Sequence, residues 1–100
     1  MTYQSILLLR AFNELFEAWE WYENRQVGLG DRFRSDVNKK ISEIENHPER
    51  YPNKKANFRE AHITSFPYLI IYKINYKQKK IVIVAIFHTS RNPSGKYKVK

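Results

Sequence analysis

His88, Arg91 and Tyr97 lie in the stretch AIFHTSRNPSGKY (residues 85–97), where a long apolar run gives way to polar chain. Strand ends and the loops after them are where a rigid scaffold presents functional groups. Together these side chains offer what cleavage of RNA through its 2′-hydroxyl requires. His88 can act as base or acid near neutral pH, Arg91 with Arg59 can clamp the charge that develops on phosphorus, and Tyr97 can serve as an acid or as a platform for a base. Arginine stays protonated, so its part is charge and not proton transfer. The same residues also suit a plain strand exit, with His88 capping the strand, Arg91 solvated and Asn92-Pro93-Ser94-Gly95 a turn. Spacing alone leaves the two readings level.

The distribution of charge points to a partner. Residues 1–50 hold seven Lys and Arg against nine Asp and Glu, a balance of −2, whereas residues 51–100 hold eleven against Glu60 alone, a balance of +10. A half with a single acid is more biased than solubility requires, and it implies a polyanion or an acidic partner on that side. Lys54, Lys55, Arg59, Lys73, Arg91 and Lys96 are the candidate contacts to such a partner or to nucleic acid. Lys77, Lys79 and Lys80 read as ordinary solvated surface.

The elements that must position these groups are legible from periodicity. Tyr3 to Leu9 reads as a first strand. Over residues 11–25, Phe12, Leu15, Phe16, Trp19 and Tyr22 recur at helical spacing, with Asn13, Glu14, Glu17, Glu20 and Asn24 on the other side. Two glycines in VGLGDRF end that helix, Gly28 as its C-terminal cap. Phe33, Val37, Ile41 and Ile44 space a second helix over 30–46, which Pro48 stops. Three strands follow at 58–64, 68–76 and 80–88. In the middle one Tyr68, Ile70, Tyr72 and Ile74 share a face. The last is apolar on both faces and belongs in the centre of its sheet. The order β-α-α-β-β-β predicts a single α+β domain over residues 1–100, a helix hairpin packed on a mostly antiparallel twisted sheet.

Several classes are set aside. The sequence contains no cysteine, which removes disulfides, thiolate catalysis and cysteine-ligated zinc. Three scattered histidines make no metal case: His47 suits a helix C-terminus and His62 a strand surface. No phosphate-binding loop, zinc-protease motif or dinucleotide fingerprint occurs, so neither a cofactor nor a metal is expected. No signal peptide and no apolar stretch near the roughly 20 residues of a membrane span is found, and a cytoplasmic protein without membrane contact is expected.

The pieces EAWEWYENRQVGLGDRF (17–33), FRE (58–60), FPYLIIYKI (66–74) and VAIFHTSRNP (84–93), in this order and in a basic chain of this length, resemble the RelE/ParE superfamily of type II toxin–antitoxin toxins. The resemblance implies a growth-arresting toxin, associated with plasmid stabilisation and neutralised by a cognate antitoxin whose acidic or amphipathic segment wraps it. The superfamily holds two mechanisms: ribosome-dependent cleavage of messenger RNA, and poisoning of DNA gyrase without toxin chemistry. Arg91 followed by Tyr97 resembles the ribonuclease branch. Leu69 departs from it, because that branch carries an arginine after the tyrosine matched by Tyr68, and an apolar side chain clamps no phosphate. His88 followed three residues later by Arg91 is more similar to ParE-type members. A ParE-like toxin with gyrase as target is therefore the expectation. A RelE-type ribonuclease is the first alternative, and a non-toxic basic nucleic-acid-binding accessory protein the second.

Overall fold

A computed structural model describes residues 3–99 of the chain, in the order β1 (Gln4–Leu7), α1 (Leu9–Arg25), α2 (Leu29–Asn46), β2 (Arg59–His62), β3 (Tyr68–Asn75) and β4 (Lys80–His88), then a short 3-10 turn over Pro93–Gly95. The strands form one sheet in the order β1-β4-β3-β2. β1 runs parallel to β4, and the other two pairings are antiparallel. The strand that is apolar on both faces, β4, is thus central, flanked by β1 and β3.

Both helices pack on one face of this sheet. Phe33, Val37, Ile41 and Ile44 of α2 meet Ala11 and Ala18 of α1 and Ile70, Tyr72, Ile81, Ile83 and Ile86 of the sheet in one buried cluster. A second, smaller cluster lies on the opposite face, where Phe58, Leu69, Ile71, Val84, Ala85 and Phe87 are covered by Leu8 and by Tyr97 of the C-terminal segment. A sheet face left without helices still has to be shielded from water, and the segment after β4 does this.

Several boundaries differ from the sequence reading, among them that of β2, which spans Arg59–His62 and not 58–64. The first strand stops at Leu7 and α1 begins at Leu9, with the extended backbone of Leu8 as its N-cap and no side-chain cap. Without a Ser, Thr, Asp or Asn there, nothing in the sequence marks the start. Gly28 is not the cap of α1, which closes at Gln26; at φ +91° it supplies the left-handed residue preceding α2. Glu23 finishes that corner by accepting from the backbone N–H of Gly28 at 2.8 Å and of Gly30 at 2.9 Å. The apolar stripe of α1 is also shifted. Phe12 and Phe16 are 58% and 54% exposed, and the helix turns its small residues, Ala11 and Ala18, to the core.

The pairing of β3 with β4 contains one irregularity. Ile71 lies opposite Ala85 and Tyr72 opposite Ile83, so Val84 is an extra residue in β4. A bulge of this kind breaks the two-residue alternation and re-aims the side chains beyond it. Ile81 and Ile83 face the helices, Val84 and Ala85 both face away, and Ile86 faces the helices again.

Candidate functional site

The bulge aims His88. Two residues past Ile86, it emerges on the helix side, where an unbroken alternation from Ile83 would have turned it to the opposite face. There it lines a cleft of about 580 Å³ between the end of β4 and α1, together with Glu14, Glu17, Trp21, Tyr22, Tyr68, Ser90 and Arg91. The volume is in the range of a ligand or side-chain pocket.

Four rings make the wall of this cleft. Trp21 meets Tyr22 edge-on at 5.1 Å, Tyr22 meets Tyr68 at 6.3 Å, and Tyr68 meets His88 at 4.9 Å. Phe33 and Phe66 back the wall from the core, Phe33 lying 5.0 Å from Tyr68 and Phe66 4.9 Å from Tyr22. Burial raises the pKa of the Tyr22 phenol and, joined by the neighbouring Tyr22, that of Tyr68, so both stay protonated at neutral pH. The backbone N–H of Ser90 donates to Nδ1 of His88 at 3.1 Å, and the Ser90 hydroxyl sits 2.7 Å from the same nitrogen. A neutral ring so held carries its proton on Nε2.

Arg91 is tied down. Its Nη1 donates to Glu14 Oε2 at 2.8 Å, and the same oxygen receives Nε of Arg10 at 3.1 Å. The other oxygen of Glu14 accepts from the backbone N–H of Ile86 at 2.9 Å. The physical reason lies in the sheet: β1 is paired only as far as Ile83, so beyond it that edge of β4 has no strand to receive its N–H groups, and Glu14 takes the place of one. The sequence pattern assigned Glu14 to the solvent side of α1, whereas its side chain is only 10% exposed. An apolar-periodicity argument passes over a carboxylate that is buried because a strand end needs an acceptor.

Tyr97 stands on the other face. It stacks on Phe58 at 4.8 Å, and its hydroxyl donates to Oε2 of Glu60. The Lys96 ammonium reaches the same oxygen at 3.0 Å. Burial tends to raise the Glu60 pKa, but the hydrogen bonds from Tyr97 and Lys96 and the charges of Lys96 and Lys54 outweigh it and hold the carboxyl below its ordinary value. Burial and the Glu60 hydrogen bond push the Tyr97 phenol up to about 12. Lys73 lies 4.5 Å over the Phe58 ring, and Lys54 and Lys55 are exposed in the loop before β2. Arg59 holds that loop, its Nη1 donating to the carbonyls of Tyr51 at 2.7 Å and Glu49 at 3.4 Å.

Of the residues singled out from sequence, then, His88 and Arg91 share one cleft; Tyr97, Lys96, Lys54 and Lys73 gather around Phe58 and Glu60 on the opposite face. Arg59 pairs with Tyr72 while His88 pairs with Tyr68, four residues or about 13 Å away along β3. The Tyr97 hydroxyl and the His88 ring thus lie on opposite faces of the sheet. Among the described residues no group of His, Asp and Glu is placed to hold a metal ion. Among them no helix is long and apolar enough to cross a membrane.

Residues 6–93 match the family model described as "ParE toxin of type II toxin-antitoxin system, parDE". The chain belongs to the ParE toxin family. This ParE-family chain is also similar in fold to solved structures of both named branches. One, from a chromosomal ParDE toxin–antitoxin system of P. aeruginosa, superposes with a TM-score of 0.71 at 12% identity, covering 89% of this chain and 98% of that one. Another, from the RelBE2 toxin–antitoxin complex of Mycobacterium tuberculosis, gives 0.65 at 15% identity, covering 88% and 99%. A double arginine-to-alanine mutant of the E. coli toxin RelE in its free state gives 0.58 at 13% identity, covering 90% and 86%. No curated protein matches the sequence. The ParE-family chain is a toxin component of a type II toxin–antitoxin system, with two helices on a mixed four-stranded sheet as in these relatives.

Proposed function

We propose that this toxin arrests growth by gripping a protein target, DNA gyrase, and not by cutting RNA, and that a cognate antitoxin neutralises it. One observation carries the reading: the groups a ribonuclease would need in one place are divided between the two faces of the sheet. His88 and Arg91 line the cleft beside α1, whereas Tyr97 hydrogen-bonds to Glu60 behind it. General acid–base cleavage needs its donor and acceptor within hydrogen-bond reach of one phosphate. Glu60 also puts an anion amid Lys54, Lys96 and Tyr97, where a scissile phosphate would meet repulsion as well as attraction.

The ParDE relative supports the reading through its name, and the RelBE relatives keep RNA cleavage as the alternative to be tested. The remaining basic surface, Lys54, Lys55 and Lys73, suits an acidic segment of the antitoxin. Expression without the antitoxin should stop growth with transcripts intact and DNA breaks accumulating, and the purified protein should inhibit supercoiling by gyrase. Discrete cuts in ribosome-bound transcripts that vanish in His88→Ala or Arg91→Ala would overturn the proposal in favour of a RelE-type nuclease.

A further inference from the structure

β1 is the terminal strand on its side of the sheet. Across its pairing with β4, the N–H of Gln4 donates to Lys79 and that of Leu8 to Ile83, so the alternation turns the backbone groups of Tyr3, Ser5 and Leu7 away from the sheet. A row of such groups is a template for pairing with another chain. One residue of α2 meets two of the three N–H groups. The Glu45 carbonyl accepts from the Tyr3 N–H at 3.1 Å. Its carboxylate Oε2 accepts from the Ser5 N–H at 3.0 Å and from the Ser5 hydroxyl at 2.7 Å.

Helix stability does not account for a glutamate at this place. Glu45 is the next-to-last residue of α2, whose last turn holds no basic residue, and a carboxylate there opposes the negative end of the helix dipole. The far edge of the sheet is closed in another way: the loop before β2 folds back along it, with the Lys54 N–H donating to the Phe58 carbonyl at 2.7 Å. One edge is covered by chain, whereas the middle of the other is held by a single side chain.

The geometry of the β1 edge says what it would pair with if opened. An antiparallel strand is its own complement about a two-fold axis. With that axis at Ser5, the two copies of this residue exchange N–H to C=O bonds. Ile6, 46% exposed on the face away from the helices, then gains the cover of Gln4 from the other copy. We infer that Glu45 is a guard residue: its carboxylate occupies the β1 edge and bars sheet extension by a second copy of this chain.

The test uses the purified full chain. In the unaltered protein the Ser5 amide should exchange at least about tenfold more slowly than an exposed amide, at a rate independent of protein concentration. Glu45→Ala should associate as concentration rises toward about 1 mM, read as a gain in mass by light scattering, with the Ser5 amide protected only in the associated form. Glu45→Asp keeps the charge but shortens the reach; it should associate more weakly, and it carries the test where the alanine variant does not fold. Ser5→Pro, added to either variant, removes the outward N–H without touching the bonds to β4, and should return the mass to that of the unaltered protein. A rapidly exchanging Ser5 amide in the unaltered protein, variants that gain no mass, or association that survives Ser5→Pro would each overturn the proposal.

Discussion

Arg91 donates to Glu14 at 2.8 Å across the seam between the end of β4 and α1, and this one carboxylate fastens three further parts of the fold. It receives Arg10 and the Ile86 backbone, while Arg10 in turn donates to the carbonyls of Lys96 and Lys98 in the C-terminal segment. The Arg91 arm is half-exposed and contributes little by itself, because solvent screens such pairs. The Ile86 N–H is different, since losing its acceptor leaves a partly buried donor unpaired. Glu14→Ala should cost about 1–3 kcal/mol, read as a lower urea midpoint at constant slope, and should speed hydrogen exchange at the Ile86 amide. Unchanged exchange there would show that the carboxylate does not carry the strand end.

Stability should fall on the acid side because of Glu60. Its pKa is depressed on folding, so the interaction stabilises the native state at pH values above the ordinary carboxyl value of 4.5 and is lost as pH falls through the lower folded value. Tyr97 behaves in the opposite sense: with its pKa raised from 10.0 to about 12, its contribution is complete below pH 10 and disappears as pH rises toward 12. Thermal melts across pH should therefore show losses below about 4.5 and above about 10, and Glu60→Gln should flatten the acid limb. An acid limb of full steepness in that variant would place its origin elsewhere.

Much of this fold could be read in advance because it rests on apolar periodicity. Phe33, Val37, Ile41 and Ile44 specify which face of α2 is buried, and the two-sided apolar run 80–88 specifies the central strand. The features that escaped depend on single residues without a periodic signal. Val84, one extra residue among β-branched and aliphatic neighbours, shifts the alternation and thereby decides where His88 points. Glu14 counts as a solvent residue on a helical wheel, yet it is drawn in by an unpaired strand N–H. Tyr97 is six residues from Arg91 in the chain, but the turn at 93–95 carries it around to the face that Phe58 and Phe87 need covered. Distance along the chain carries no sign of that change of side.

The crossing of α1 and α2 depends on Gly30. A Cβ there would sit 2.5 Å from the Trp19 carbonyl oxygen and 2.9 Å from Glu23 Cβ, so backbone and not a flexible side chain blocks it. Gly30→Ala should force the helices apart at a cost of about 1–3 kcal/mol. At this chain length each kcal/mol corresponds to roughly 4–8 °C in Tm. Gly28→Ala meets open space and bears only the strain of φ +91°, so calorimetry should show a smaller loss for it than for Gly30→Ala. A larger loss at Gly28 would mean that the turn, not the close approach, limits the packing of the pair.

Tyr97 separates the two mechanisms of the superfamily with one atom. Tyr97→Phe removes the hydroxyl that donates to Glu60 but keeps the ring stacked on Phe58 at 4.8 Å, and Lys96 still pairs with the carboxylate. The expected loss of stability is about 1 kcal/mol. Tyr97→Ala should lose more, because it also uncovers Phe58 and Phe87. If the toxin grips its target without acid–base chemistry, Tyr97→Phe should arrest growth as strongly as the unaltered protein when both are expressed at equal levels without antitoxin. A nuclease that used this hydroxyl as its proton donor would lose on the order of 10²–10⁴ in rate. Transcript ends mapped beside the growth curves decide between them, since a folded Tyr97→Phe protein that no longer arrests growth contradicts the binding mechanism directly.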